Sequence, residues 1–260
     1  MSRAAVTSPV PFSTSGAATA VGIVIPTFRE SENIAPLIQA LHKVAPAAPI
    51  VVVDDSPDLT TVEAVHAMAD PNVDVVHRQD KGGRGSAVLA GMRRLLELGV
   101  QTIVEMDADH SHPPSELPAL LAQARDQKLD LLIASRYLRE SRIENWPLRR
   151  RVFSRSANLV ARAALRVPVH DYTNGYRAYS RRAAALAVER CGHAGSGFIA
   201  LSEILVTLHG SGLRIGERPT VFVNRVRGQS SVNAHEIVTA VTGLWTTLQI
   251  RRRLERAGRS

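Results

Sequence analysis

A chain of 260 residues with 45% hydrophobic content is long enough to bury one large core, or one domain with an appendage. Its formal net charge of +8, from 32 Lys and Arg against 24 Asp and Glu, suits anionic partners: phosphorylated substrates, an acidic membrane surface or nucleic acid. The single cysteine, Cys191, excludes an internal disulfide, and no apolar run approaches the roughly 20 residues that span a bilayer. Residues 1–20 are rich in Ser, Ala, Thr and Pro and lack the apolar stretch of a secretory signal. They read as a disordered leader, and the chain as cytoplasmic, soluble or peripheral on the cytoplasmic membrane face.

From Val21 the pattern alternates. Residues 21–25 form a short apolar strand ended by Pro26, and Ile34, Leu37, Ile38, Leu41 and Val44 then recur at helical spacing. Residues 50–53 are a second strand, followed by Asp54-Asp55-Ser56-Pro57-Asp58 and a helix through Val62, Val65 and Met68. Residues 73–76 are a third strand. The turn Lys81-Gly82-Gly83-Arg84-Gly85-Ser86 leads into a helix marked by Val88, Met92, Leu95 and Leu96. Gly82, Gly83 and Gly85 suit close backbone approach better than a dedicated phosphate cradle.

The fourth strand carries Ile103-Val104-Glu105-Met106-Asp107-Ala108-Asp109-His110-Ser111. If extended, Asp107, Asp109 and Ser111 project to one side and aim oxygen ligands at one point. Such donors suit Mg²⁺ or Mn²⁺, which take one or two carboxylates and complete their shell with substrate phosphates. The plainer alternative is a solvated turn at a strand end. His110 and His112 flank the motif and read as structural or supporting, since oxygen ligands suit this ion better. Pro113-Pro114 ends the strand, and Ser115-Glu116 reads as the start of a helix with Leu117, Leu120 and Leu121 inward.

Continuous apolar strands alternating with helices predict an α/β fold, a mostly parallel Rossmann-like sheet flanked by helices. Ligands bind such sheets beyond the carboxyl ends of the strands. The loops at residues 26–30, 54–58, 81–85 and 107–111 all fall there, which predicts a nucleotide site on one rim. A fifth strand, residues 131–134, ends in Ser135-Arg136-Tyr137. Residues 136–170 then hold a basic amphipathic segment with apolar Leu148, Val152, Leu159, Val160 and Leu165. It suits either a membrane interface or a solvated face. A polar loop, residues 171–177, precedes a helix over 198–208 containing Glu203, and short strands flank Pro219. The last helix, residues 235–250, carries Trp245 and ends in Arg251-Arg252-Arg253; it suits a lipid headgroup region or a homo-oligomer contact.

Taken together these residues are recognisable. Val24-Ile25-Pro26-Thr27-Phe28-Arg29-Glu30, Asp54-Asp55-Ser56-Pro57-Asp58, Met106-Asp107-Ala108-Asp109-His110-Ser111-His112-Pro113 and Ser135-Arg136-Tyr137 resemble a family-2 glycosyltransferase of the GT-A fold. Within it, Trp146, Ser154-Arg155-Ser156-Ala157-Asn158, Thr173-Asn174-Gly175-Tyr176-Arg177, Ile215-Gly216-Glu217-Arg218-Pro219 and the segment from Phe222 to Ser230 resemble the dolichol-phosphate (polyprenol-phosphate) mannose synthases. The resemblance covers residues 21–250. It implies a catalytic domain over 21–232 and a C-terminal interfacial helix with a basic tail over 233–260.

The resemblance also implies roles. Pro26, Phe28, Glu30, Val53 and Asp55 would hold the donor nucleoside. Asp107, Ala108 and Asp109 would meet donor phosphates and sugar, with Asp107, Asp109 and Ser111 at the metal, Mg²⁺ or Mn²⁺. Arg136 and Arg225 would bind phosphates around the reaction centre beside the catalytic Asp109. The implied reaction moves mannose from GDP-mannose to a polyprenyl phosphate. Three departures stand out: the Asp54-to-Pro57 loop is one residue short, Phe28 replaces a usual tyrosine, and Ser231 replaces a usual lysine, with Arg227 two residues beyond Arg225. A family-2 transferase with another sugar nucleotide or a soluble acceptor is the alternative, and a neutral acceptor would direct attention to Glu203 and Asp171 as bases. A nucleic-acid binder ranks last, because no such module is recognisable.

Overall fold

The computed structural model describes residues 20–79, 82–195, 197, 199–224 and 234–257, with side chains in the last segment given for 243–254 and 256. The expected leader and the stretch holding Arg225, Arg227 and Ser231 lie outside the described residues.

Among the described residues the core is a seven-stranded sheet in the order β3-β2-β1-β4-β7-β5-β8. These strands are β1 (Val21–Thr27), β2 (Ile50–Asp54), β3 (Val73–His77), β4 (Thr102–Glu105), β5 (Leu131–Ser135), β7 (Arg177–Ser180) and β8 (Ile215–Pro219). A separate parallel pair joins β6 (Arg142–Glu144) to β9 (Val221–Val223). β1 extends through Pro26, beyond the expected stop; Pro26 pairs in register with Val53 in the parallel ladder.

The unbroken apolar strands have a simple cause: both faces of the sheet are covered. Alternate residues enter two different cores. Ile23, Ile25, Ile50 and Val52 face one, with Ile34, Leu37, Ile38 and Leu41 of α1 (Ser31–Val44). Val24, Val51 and Val53 face the other, with Val88, Met92 and Leu95 of α3 (Gly83–Glu97). Gly91 lets α3 lie against β1, since a Cβ there would collide with Val24 Cγ2.

β7 was not predicted as a strand. It runs antiparallel between β4 and β5, with Arg177 opposite Glu105 on one side and Ile133 on the other. A reversed strand begins where its neighbours end. The loop before β7, holding Thr173, Asn174 and Gly175, therefore reaches the rim on which Asp107 and Arg136 stand.

The remaining helices are α2 (Thr60–His66), α4 (Leu117–Asp126), α5 (Leu148–Leu165), α6 (Arg181–Arg190), α7 (Ile199–Gly210) and α8 (Ala234–Ala257). Pro114–Glu116 forms a single 3₁₀ turn before α4, so the helix starts two residues later than Ser115 suggests. One side of α8 packs inward. Leu244 and Leu248 join the α3-side core, Arg251 donates to the Ala164 carbonyl at 2.6 Å, and Leu254 covers Gly210.

Candidate active site

β4 stops at Glu105, and Asp107 to Ser111 lie on a turn rather than an extended strand. The expectation of three side chains aligned by strand geometry is thereby corrected. His110 takes a left-handed φ of 59°, and Asp109 Oδ1 accepts from the Ser111 amide at 3.1 Å. The turn folds back because its carboxylate caps its own backbone.

The turn is tied to the rest of the rim. His110 Nε2 lies 3.1 Å from the Asn33 carbonyl, and Asn33 Nδ2 donates to Glu30 Oε2 at 2.7 Å. Asp55 accepts two bonds of 2.6 Å from Arg78 and one of 3.0 Å from the Gly83 amide. Next to Gly83, Arg84 donates from Nε and Nη2 to Asp107 Oδ1 at 2.9 and 2.7 Å. Its Nη1 lies 2.6 Å from Glu105 Oε1. Glu30, Asp55, Asp107 and Asp109 thus share one rim.

Some expected donor residues offer less than their side chains suggest. Val53 and Ala108 are buried in the two cores, so only their backbones face a ligand. Phe28 is exposed beneath the Arg29 guanidinium, 5.4 Å from its ring centre. Pro26, the last residue but one of β1, pairs with Val53.

Arg136 follows β5 and is only 8% exposed. Its Nε and Nη2 donate to Asp171 at 2.8 Å each, and Nη2 also reaches Thr173 Oγ1 at 2.7 Å. Burial favours the neutral form of Asp171, but the Arg136 guanidinium outweighs it and holds the carboxyl below its usual range. The Arg136 guanidinium also packs over the rings of Tyr137, Trp146 and Phe222, 5.3–5.6 Å from their centres. Glu217 of β8 accepts from the amides of His170 and Asp171, fixing the loop that carries the carboxylate.

Asp107 shows the same competition of forces. Burial works to raise its pKa, yet Arg84 and a 3.4 Å contact from His112 Nε2 keep it well below the carboxylate range. His112 is fully buried between the rings of Tyr176 and Phe222.

The turn offers a cation only oxygen: the carboxylates of Asp107 and Asp109, and Ser111 Oγ, which is buried without a hydrogen-bond partner among the described residues. No group of three His, Cys, Asp or Glu suited to a metal occurs among the described residues. These donors fit a hard divalent ion that draws the rest of its shell from substrate oxygens.

Two carboxylates considered as bases are otherwise engaged. Asp171 holds Arg136, and buried Glu203 accepts from the amides of Gly192, His193 and Ala194. Sequence reasoning placed the turn holding Arg84 on the rim but gave that side chain no role, and it missed Arg78 and Glu105. For Glu105 the available signal was a glutamate interrupting an apolar strand.

Beside the rim, α5 is joined to it where Ser154 Oγ accepts from the Tyr137 hydroxyl at 2.6 Å, and it leaves large apolar side chains in solvent: Leu148 is 76% exposed, Phe153 57% and Leu159 68%. Arg149, Arg151 and Arg155 stand among them, and Arg150 lies over the Trp146 ring at 4.2 Å. No described helix is long and apolar enough to cross a membrane.

Comparison with known proteins places this geometry. Residues 22–186 match the model for glycosyl transferase family 2. The chain is 40% identical over 238 residues to a polyprenol monophosphomannose synthase of Mycolicibacterium smegmatis, covering 90% of this chain and 89% of that protein. It is 37% identical to an undecaprenyl-phosphate mannosyltransferase of Micrococcus luteus, over 85% of this chain and 90% of the relative. In fold it is similar to glucosyl-3-phosphoglycerate synthase of Mycobacterium tuberculosis, solved with Mn²⁺, UDP-glucose and phosphoglyceric acid. That match has a TM-score of 0.63 at 18% identity, over 89% of this chain and 80% of that one.

Proposed function

The chain belongs to glycosyltransferase family 2, and from that premise we propose that it transfers mannose from GDP-mannose to the phosphate of a polyprenol at a membrane surface. One observation carries the reading: a rim of carboxylates and arginines adjoins a helix whose apolar side chains stand in solvent among further arginines. The relatives named above act on polyprenyl phosphates, which supports this acceptor class.

The nucleoside lies along the ends of β1 and β2, against Pro26, Phe28, Glu30 and the backbone of Val53. Asp107 and the Ala108 backbone meet the donor's sugar and phosphates. Asp109 and Ser111 would hold Mg²⁺ or Mn²⁺, with Asp107 close by, and that ion would supply charge neutralisation for the departing diphosphate. Arg136 adds fixed positive charge where the acceptor phosphate approaches, and Arg225, outside the described residues, is assigned the same role from the resemblance. An oxygen of that phosphate attacks the anomeric carbon; the bond to the nucleoside diphosphate breaks, its electron pair leaves with GDP, and the configuration inverts. The attacking oxygen is already anionic at neutral pH, so no side chain need remove a proton. The engagement of Asp171 and Glu203 favours such an acceptor over a neutral hydroxyl.

The membrane contact is assigned to α5, with Leu148, Phe153 and Leu159 in the acyl boundary and the arginines on anionic headgroups. A second reading keeps the fold and changes the donor base. The Asp55 carboxylate, bound by Arg78 and Gly83, favours it, because that carboxylate has fewer free lone pairs for a base.

The test incubates the protein with Mn²⁺ or Mg²⁺, labelled sugar nucleotides and a short polyprenyl phosphate, and extracts lipid. Lipid-borne label from GDP-mannose alone is expected, and Asp109→Ala should abolish it while the far-UV spectrum and melting temperature hold. Lipid-borne label from another nucleotide would replace this reading with the second, and sugar released without lipid product would overturn the polyprenyl-phosphate acceptor.

A further inference from the structure

The guanidinium of Arg84 sits between two carboxylates of the rim. It leaves the first turn of α3, bonds Asp107 Oδ1 twice, and is anchored from behind by Glu105. Glu105 is itself fully buried, and its second oxygen accepts from the Tyr179 hydroxyl at 2.8 Å. A guanidinium bridging two carboxylates in a fixed fork sets the direction of both. The loop before β7 is shaped around it. A Cβ on Gly175 would collide with Arg84 Nη2 and lie 3.1 Å from Asp107 Oδ2. Gly175 takes no left-handed conformation, so the close approach of Arg84 explains the glycine.

We propose that Arg84, braced by Glu105 and admitted by Gly175, is a positioning residue that orients Asp107 and withdraws it from the divalent cation, leaving that ion to the Asp109 end of the turn. The inference rests on the reading that this turn receives a cation. A carboxylate whose Oδ1 carries two charge-assisted bonds keeps little of its field for a second positive centre. The guanidinium beside it also repels a doubly charged ion. The oriented carboxylate instead suits uncharged hydroxyl donors, of which a sugar nucleotide has several. Asp107 and Asp109 are two residues apart in sequence, but this makes them different in chemistry.

The test reads the cation without donor or acceptor. Mn²⁺ is titrated into the full chain and free Mn²⁺ is followed by its electron paramagnetic resonance signal. Wild type is expected to bind weakly. Arg84→Leu, which releases Asp107, should bind at least about tenfold more tightly. Gly175→Ala, which pushes the guanidinium aside without removing its charge, should shift affinity the same way by less. The gain should vanish when Asp107→Asn is added to either variant. Unchanged Mn²⁺ affinity in Arg84→Leu and Gly175→Ala would overturn the proposal, as would a gain that persists with Asp107→Asn. Should Arg84→Leu fail to fold, as judged by its melting curve, the Gly175→Ala pair decides. No sugar or lipid enters the measurement, so failure of the transferase reading and failure of this one are separately visible.

Discussion

The strand-end rim and the face of α5 solve opposite problems. On the rim, charge is buried or half-buried and matched almost group for group: Asp55 with Arg78, Asp107 and Glu105 with Arg84, Asp171 with Arg136. On α5, apolar side chains remain in solvent and arginines stand among them. Buried ion pairs add little net stability, but losing one partner is costly because the other charge stays behind. Exposed apolar groups cost the fold little, and they stabilise contact with something else. The rim therefore has fixed geometry, and the α5 face is the region proposed to adhere to another surface. Mutations should separate the two.

The largest effect is expected at Asp171. Asp171→Ala leaves the Arg136 guanidinium buried without its carboxylate, a change on the order of 3–5 kcal/mol in unfolding free energy. Chemical denaturation should show the loss, together with collapse of turnover. A stable variant with normal activity would mean that the pair does not organise the site.

A smaller and opposite pattern is expected from α5. Leu148→Ser, Phe153→Ser and Leu159→Ser together should weaken sedimentation with anionic vesicles by at least about tenfold. The denaturation midpoint should stay where it is, because these side chains are exposed in the folded chain. Undiminished vesicle binding would break the contrast between the two regions.

The least effect, and the sharpest in sign, concerns pH. Folding lowers the pKa of Asp107 and Asp171, because Arg84 and Arg136 outweigh their burial. Their stabilisation is fully present above the unfolded carboxylate pKa of about 3.9 and is lost as pH falls below it toward the folded values. Denaturation midpoints measured between neutral pH and about pH 3 should fall in wild type. The α5 variant should follow the same acid limb, and Asp171→Asn should flatten part of it.

Much of the half of the sheet built from β1 to β4 was legible from periodicity. Ile23, Ile25, Ile50 and Val52 alternate with Val24, Val51 and Val53 because each strand feeds two cores, and the loops at the strand ends follow from parallel connection. Local pattern could not place β7, whose four residues carry no period of their own and whose direction is set by pairing with β4 and β5. It also misjudged the Asp turn, where Asp109 caps the Ser111 amide and ends the extended geometry.

By itself, the sequence determined the class of fold, which loops meet on one rim, and that Asp107, Asp109 and Ser111 offer oxygen there. These are properties of neighbouring residues and of their spacing. Only the tertiary structure decided which charges meet: Arg84 with Glu105 and Asp107, Arg136 with Asp171, Gly175 against Arg84. Those partners lie 21 to 91 positions apart along the chain, from Arg84 and Glu105 to Arg84 and Gly175. Electrostatic pairing depends on distance in space, and the packing of β4, β7 and α3 sets that distance.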